Sequence, residues 1–180
     1  METTTLPQTG TWSIDPTHTR IGFVAKHLMV TKVRGSFGEF SGSIEVAEPI
    51  ENSSVSVELA ASSISTGVAD RDGHLKSADF LDVENHPTIT FRSTGVRREG
   101  GEFKVDGELT IIGISKPVTL DVEFDGEATD PWGNAKAGFT ASTAIDREDW
   151  GLTWNAALES GGLLVSKEIK IEIEAQAQKA

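Results

Sequence analysis

The residues of this sequence best suited to metal binding or proton transfer are four histidines: His18, His27, His74 and His86. A catalytic zinc site needs three protein ligands, and imidazole and carboxylate groups would have to provide them because the chain has no cysteine. The histidines follow one another at intervals of nine, forty-seven and twelve residues, a spacing that does not bring them together by itself. We therefore predict structural hydrogen bonds for them and no bound metal or other cofactor, with a His-dependent metalloenzyme as the less favoured alternative.

One segment approaches the pattern of a calcium-binding loop. Asp70 and Asp72 match the third and fifth positions of an EF-hand loop, and Asp79 matches the twelfth. The first position falls on Val68, whose side chain cannot bind a cation. The segment is better explained as a short helix over residues 73–81, with Asp70 or Asp72 capping its N-terminus.

Three further polar residues are candidates for contact with a ligand. His27 shares the alternating phase of the apolar side chains in residues 21–25, so we expect it to point inward, where it must be paired or contact a ligand. Arg147 and Asp149 follow a break in the alternation. They are expected to form an ion pair that closes one end of the fold or, in the functional alternative, to hold the polar head of a ligand.

Net charge and missing motifs narrow the classes of function. The chain has 16 basic and 28 acidic residues and a formal net charge of −12, which argues against nucleic acid or an anionic lipid surface as a partner. The sequence contains no nucleophile elbow, no glycine-rich phosphate loop and no His-Glu-x-x-His motif. We therefore predict a binding protein rather than an enzyme.

Location is predicted from the first residues. Residues 1–10 have neither a basic cluster nor an apolar run, and no segment approaches the roughly 18 apolar residues that a spanning helix requires. With Met1 as the native start, we expect a cytoplasmic protein with no stable membrane insertion. If Met1 is not the native start, a periplasmic or secreted location is the alternative.

The elements that would position these groups are strands, because apolar and polar residues alternate along most of the chain. Val118, Leu120, Val122 and Phe124 are the clearest case, since each is separated from the next by one polar residue. Such a strand has one buried face and one solvated face, and the short turns between the runs join antiparallel neighbours. We predict eight strands, at about residues 12–27 with a break near Pro16, 35–47, 53–64, 87–98, 102–112, 116–128, 135–146 and 162–176.

These strands have no long helix to cover their apolar faces, so the faces must cover one another. A sandwich or a closed barrel satisfies this requirement, and glycines within strands, such as Gly42 and Gly107, favour the coiled strands of a barrel. We predict an all-β fold, an eight-stranded antiparallel barrel with one or two short helices. The apolar side chains expected to face its interior, and to line a ligand site there, are Phe23, Phe91, Leu109, Ile111, Leu120, Val122, Phe139 and Ile171.

Several short segments are weak signals singly and specific in combination. They are Trp12-Ser13-Ile14-Asp15, residues 18–27 (HTRIGFVAKH), Gly35-Ser36-Phe37, Phe40-Ser41-Gly42, residues 70–75 (DRDGHL), Asp79-Phe80-Leu81-Asp82, residues 87–91, residues 107–113 (GELTIIG), Lys116-Pro117-Val118, and Arg147 with Asp149 and Gly151. Their order and spacing over residues 11–176 resemble the YceI-like family of lipocalin-like, polyisoprenoid-binding proteins.

The resemblance implies an extended eight-stranded barrel that holds a long isoprenoid or another amphiphile along its axis. It implies a single domain over residues 11–177, after a flexible N-terminus of residues 1–10. Many relatives are exported, whereas this chain resembles the cytoplasmic branch, and relatives often dimerise, so a homodimer is a further expectation.

Two functions remain open beside the less favoured His-dependent metalloenzyme. The first is binding and carriage or storage of an isoprenoid or fatty amphiphile, and the second is a structural or stress-related barrel without a ligand. Eight-stranded barrels are either packed solid or hold one small ligand. Since an apolar tunnel and an apolar core use the same residue types, the sequence does not separate the two.

Overall fold

Strands form most of the molecule. The computed structural model describes residues 6–155 and 165–180, which contain eleven strand segments and one α-helix. The strand segments are β1 (Gly10–Ile14), β2 (Arg20–His27), β3 (Thr31–Phe37), β4 (Phe40–Val46), β5 (Ser54–Ala60), β6 (Ile64–Ser65), β7 (Thr88–Glu99), β8 (Glu102–Ile111), β9 (Ile114–Thr129), β10 (Ala135–Asp146) and β11 (Glu168–Lys179), and the helix is α1 (Ala69–Lys76).

The eleven segments combine into eight antiparallel strands. β1 and β2 are two parts of one strand, β3 and β4 of a second, and β5 and β6 of a third; β7 to β11 complete the sheet in chain order. The sheet closes on itself because β11 pairs with both β1 and β2, with Trp12 opposite Lys179 and Phe23 opposite Ile171. The predicted eight-stranded antiparallel barrel is confirmed.

The strand limits follow the predicted ones closely. The predicted break near Pro16 is present as a 3-10 turn, Pro16–His18, in which the carboxylate of Asp15 accepts a hydrogen bond from the backbone N–H of Thr17 at 3.0 Å. β3 begins at Thr31, earlier than the predicted residue 35. The last strand begins at Glu168 rather than at residue 162, and residues 162–164 lie outside the described residues.

The helix lies earlier in the chain than predicted. It spans Ala69–Lys76 instead of 73–81, so Asp70 and Asp72 lie in its first turn and do not cap it. Acidic side chains are favourable there because the first-turn N–H groups are unpaired. Asp72 also accepts hydrogen bonds from the backbone N–H and the hydroxyl of Thr66, at 2.8 and 2.5 Å, which fasten the helix to the end of β6. Among the described helices, none has the length and apolar composition needed to cross a bilayer.

Alternation determines which side chains face the interior. Along β9, Val118 is buried and Leu120 and Val122 are half-buried inside the barrel, whereas Thr119 and Asp121 are exposed on its outer surface. This is the period-two pattern that the sequence predicts.

Two glycines allow aromatic rings to lie across the inner face of the sheet. A Cβ atom at Gly107 of β8 would lie 2.4 Å from Cζ of Phe91 on β7. A Cβ atom at Gly35 of β3 would lie 2.2 Å from Cζ of Phe23 on β2. Both distances are too short for any side chain, so glycine is required at these positions for close packing of the rings.

Candidate functional site

The interior of the barrel is hollow. It encloses a cavity of about 190 Å³, larger than the roughly 150 Å³ apolar cavity that stays dry and admits benzene or xenon in an engineered protein. All eight strands contribute to its wall. The lining residues are Pro7, Ile14, Thr19, Ile21, Ile44, Val46, Ile50, Ser53, Val55, Val57, Leu59, Ile89, Thr90, Phe91, Val96, Phe103, Val105, Leu109, Val118, Leu120, Val122, Phe139, Ala141, Ile171, Ile173 and Ala175.

Burial differs among the side chains of this wall. Phe103 and Val105 of β8 are only 6% and 5% exposed. Val122 of β9, Phe139 of β10 and Ile171 of β11 also point inward, yet they remain half-buried. A solid core would bury all five side chains to a similar degree. Accessible apolar surface therefore remains on β9, β10 and β11, and also at Ile44 of β4 and Val57 of β5, which line the cavity and are half-buried.

The cavity wall provides little polar chemistry. None of the described residues that line it is charged, and the hydroxyl-bearing ones are Thr19, Ser53 and Thr90. The Thr19 hydroxyl donates to the carbonyl of Gln176 at 3.3 Å and accepts from its N–H at 3.0 Å. The Ser53 hydroxyl accepts from the N–H of Ala47 at 2.9 Å. Two of the three hydroxyls are thus engaged by backbone groups, and the wall is suited to an apolar guest.

One end of the barrel is closed by Trp150. This residue ends the 3-10 turn that follows β10 and is 2% exposed. Its indole N–H donates to the carbonyl of Leu109 at 2.9 Å. Trp150 packs in the same apolar cluster as the cavity residues but is not among those that line the cavity, so it forms part of the floor below it.

Arg147 holds this closed end together. Its side chain is buried, with 3% exposure, and its guanidinium donates to four backbone carbonyls. The acceptors are Leu152 at 2.5 Å, Ser166 at 2.9 Å, Trp154 at 3.0 Å and Val165 at 3.3 Å. Burial lowers the pKa of the guanidinium from its ordinary value, as expected for a cation removed from water.

At the opposite end, the segment that precedes β1 lies against the barrel. Pro7 is buried and lines the cavity. The backbone N–H and the side-chain amide of Gln8 both donate to the carboxylate of Glu127, at 2.6 and 2.8 Å. The Gln8 carbonyl accepts from the indole N–H of Trp12 at 3.0 Å, and Trp12 is 0% exposed. Residues 7 and 8 are therefore held against the barrel wall.

Six of the eight apolar residues predicted to line a ligand site do line the cavity: Phe91, Leu109, Leu120, Val122, Phe139 and Ile171. The other two do not. Phe23 is half-buried beside Phe37, with ring centroids 5.9 Å apart. Ile111 is buried at the end of β8, in the apolar cluster near the closed end.

The three polar candidates do not meet at the cavity. His27 is exposed at the end of β2, contrary to the expectation that it points inward, because the strand ends there and the chain enters a turn. Asp149 is exposed on the turn that contains Trp150 and forms no ion pair with Arg147 among the described residues. The predicted Arg–Asp closure is corrected to an arginine that binds backbone carbonyls.

Sequence reasoning missed the contributions of the N-terminal half of the barrel. Ile14, Ile44 and Val46 lie in the same inward phase as Trp12, a signal that the alternation of β1 and β4 carries. Pro7 carried no such signal, because it lies before the first strand.

The histidines lie apart from one another. His18 contacts Asp15 at 3.0 Å and His74 contacts Asp79 at 2.9 Å, each within its own turn. His74 also packs edge-on against Trp154, with ring centroids 4.6 Å apart. Within the residues that the structure describes, no three His, Asp or Glu side chains are close enough to hold a metal ion.

Comparison with solved structures places the same barrel in other bacteria. A YceI protein of Campylobacter jejuni superposes with a TM-score of 0.74 at 30% identity, covering 86% of this chain and 90% of that one. BcnA of Burkholderia cenocepacia superposes with a TM-score of 0.80 at 21% identity, covering 91% and 98%. A domain of Saccharophagus degradans described as polyisoprenoid-binding superposes with a TM-score of 0.68 at 15% identity, covering 94% and 98%. The latter two share the fold with this chain.

Comparison of sequences gives the family. UPF0312 proteins of Pectobacterium atrosepticum and Staphylococcus aureus are each 38% identical to the chain. The first alignment covers 90% of this chain and 83% of the Pectobacterium protein. The second covers 92% of this chain and 95% of the Staphylococcus protein. The YceI-like domain matches residues 12–177. With that match over nearly the whole barrel, the chain belongs to the YceI-like family.

Proposed function

We propose that this protein binds the apolar chain of a polyisoprenoid or a similar amphiphilic lipid inside its barrel, for carriage or storage. The observation that supports this proposal most directly is the hollow apolar interior, in which inward-facing residues such as Val122, Phe139 and Ile171 are only half-buried. The description of the Saccharophagus domain as polyisoprenoid-binding points to the same class of ligand.

Burial of an apolar chain provides enough free energy for binding without any polar anchor. A cavity of about 190 Å³ takes up part of a long chain rather than all of it, and each methylene buried there would gain about 0.8 kcal/mol. Lost translational, rotational and chain freedom offsets a large part of this gain. What remains favours binding, and the lining residues need only match the ligand in shape.

We expect the cavity wall to select lipids by the shape of their apolar chain and not by their head group. No charged residue among the described ones lines the cavity, and the hydroxyls of Thr19 and Ser53 are engaged by the backbone. We expect lipids with similar chains and different heads to bind with similar affinity. This is the behaviour expected of a carrier.

The experiment is native mass spectrometry of the purified protein, followed by organic extraction and identification of any lipid. We expect the lipid to be bound one per chain in wild-type protein. A wild type that carries no lipid, and that takes up no farnesol or longer isoprenoid alcohol after incubation, would refute the proposal and favour the ligand-free barrel.

A matched pair of variants locates the ligand. Ala141 of β10 is buried and lines the cavity, whereas Ala144 of the same strand is exposed on the outer surface. Ala141→Phe places a ring in the cavity and is expected to displace the lipid while the fold is retained, because the space for the ring already exists. Ala144→Phe adds the same ring outside and should leave the bound lipid unchanged. Equal lipid content in the two variants would place the ligand elsewhere.

A further inference from the structure

The turn between β2 and β3 presents three consecutive large apolar side chains to solvent. Leu28 is 40% exposed, Met29 is 49% exposed and Val30 is 78% exposed. Single exposed apolar residues are ordinary on protein surfaces. Three in sequence at the tip of a projecting hairpin form a small convex apolar patch, which we call the hairpin tip.

The backbone of the hairpin tip is unfavourable for the residues that it contains. Leu28 and Met29 have φ angles of 55° and 61°, in the left-handed region where glycine, asparagine and aspartate are preferred. The N–H of Val30 donates to the carbonyl of His27 at 3.1 Å and closes the turn. An Asn-Gly sequence would form this turn with less strain. The apolar side chains are therefore present despite the local stability they cost, which points to a role outside the fold.

The charge of the hairpin's own sequence is opposite in sign to that of the whole protein. Residues 16–38 contain four basic side chains and no acidic one, in a chain of net charge −12. Lys26 and Lys32 lie directly opposite each other on β2 and β3, and both are exposed. Arg34, further from the tip, contacts Glu172 at 3.8 Å. Within the described residues neither lysine has an ion-pair partner, and like charges facing across strands are destabilising.

The hairpin tip projects from one end of the barrel. β2 pairs with β11 as far as Val24 opposite Lys170, and one further bridge joins His27 to Val165. The next residues lie beyond these pairs. Two other exposed apolar side chains, Val68 before α1 and Ile114 at the start of β9, belong to connections at the same end.

We propose that the hairpin tip inserts into the surface of an anionic lipid bilayer, with Lys26 and Lys32 on the headgroups. The apolar side chains would enter the boundary between headgroups and acyl chains, and the flanking lysines would contact the anionic headgroups. A protein partner is less suited, because three side chains present far less than the roughly 800 Å² per partner that a stable protein interface buries. Insertion there runs against the net charge of the chain, but charges more than a Debye length from the tip are largely screened, and Lys26 and Lys32 are the charged residues of the hairpin nearest to it.

Insertion of the hairpin tip involves the outer end of the hairpin and does not depend on whether the cavity holds a lipid. The test is co-sedimentation of the full chain with vesicles of phosphatidylcholine alone or of equimolar phosphatidylcholine and phosphatidylglycerol. We expect binding to the anionic vesicles, weaker binding at high salt, and little binding to the neutral ones. Failure of the wild type to bind anionic vesicles at low salt would overturn the inference and leave the proposed function untouched.

Two variants separate the apolar and the basic contributions. Leu28→Asn with Met29→Gly removes two apolar side chains and relieves the strained turn, so we expect a higher melting temperature together with at least a tenfold loss of vesicle binding. Lys26→Gln with Lys32→Gln should reduce binding to anionic vesicles about fivefold per lysine, or about 25-fold for the pair. Unchanged vesicle binding in either double variant would overturn the inference.

The control is Trp132→Ala. Trp132 is 83% exposed in the turn between β9 and β10, at the other end of the barrel. Its backbone N–H donates to the carboxylate of Asp130 at 2.9 Å, and no lysine or arginine lies within three residues of it, so its loss should leave vesicle binding unchanged. If Trp132→Ala abolishes binding, the contact is at that end and the inference is wrong. If the Leu28/Met29 variant instead changes the mass of the protein in solution, the tip contacts a second copy of the chain and the inference is equally wrong.

Discussion

Replacement of Arg147 by methionine is expected to destabilise the closed end of the barrel. The guanidinium donates to the carbonyls of Leu152, Trp154, Val165 and Ser166, and the bonds to Leu152 and Ser166 are buried. Methionine retains much of the apolar stem but offers no donor. Each buried carbonyl left without a donor costs about 1–3 kcal/mol, so two of them predict a loss of about 2–6 kcal/mol in the free energy of unfolding.

The assay is urea unfolding followed by tryptophan fluorescence, with Arg147→Lys as the second variant. Lysine keeps the positive charge but cannot reach four carbonyls with a planar fork of donors, so it should recover only part of the lost stability. A change below about 0.5 kcal/mol in Arg147→Met, the size expected of an ordinary surface substitution, would refute the structural role. Unchanged stability with loss of bound lipid would instead assign Arg147 to a ligand head group.

Three further predictions test the alternation, one ionised group and one close contact. Val122→Asp places a carboxylate in the apolar cavity and should lower the free energy of unfolding by several kcal/mol or raise the pKa of the new carboxyl group. Glu123→Lys on the outer surface should change the free energy of unfolding by less than about 0.5 kcal/mol. Thermal unfolding of the two variants distinguishes them, and equal destabilisation would contradict the strand assignment. Hydrogen bonds lower the pKa of Asp15 to about 2, so its contribution to stability is complete above the unfolded value near pH 4 and is lost as the pH falls through about 2. The difference in melting temperature between wild type and Asp15→Asn should therefore shrink over that range, and a pH-independent difference would contradict the assignment. Gly107→Ala should lower the free energy of unfolding by about 1–3 kcal/mol because the added Cβ meets the ring of Phe91. Gly95→Ala should be nearly neutral, since a Cβ there would have no atom within 4 Å. Equal unfolding midpoints in urea for the two variants would contradict the close contact at Gly107.

The barrel was predictable because a period of two leaves few alternatives. Apolar residues at Val118, Leu120 and Val122 define one buried face without reference to any other part of the chain. The break at Pro16 was also a local signal, since proline cannot donate to a sheet. With no helix long enough to cover the strands, closure of the sheet was the simplest way to bury their faces.

The roles of the polar residues depended on contacts that are distant in sequence. Arg147 binds carbonyls of residues 152–154 and 165–166, and no spacing in the sequence indicates that those backbone groups converge on it. His27 has the phase of an inward residue, but it stands at the last position of β2, where the barrel wall has ended. Alternation predicts the face of a residue within a strand and does not predict where the strand leaves the core.

The sequence indicates the hollow interior only when the strand register is known, because the register shows which small residues are neighbours on the inner face. Ala141 of β10 lies opposite Ile173 of β11 and Val122 of β9, and all three face the cavity. Ala175, the next inward position on β11, lines it as well. Small residues at neighbouring inward positions leave space that the larger side chains across the barrel do not fill. By contrast, Ala137 and Ala177 are buried in one cluster with Trp12 and Val46, so the same residue type there accompanies a filled core. Alanine alone therefore does not distinguish a cavity from a packed layer, and its neighbours across the barrel decide which of the two it forms.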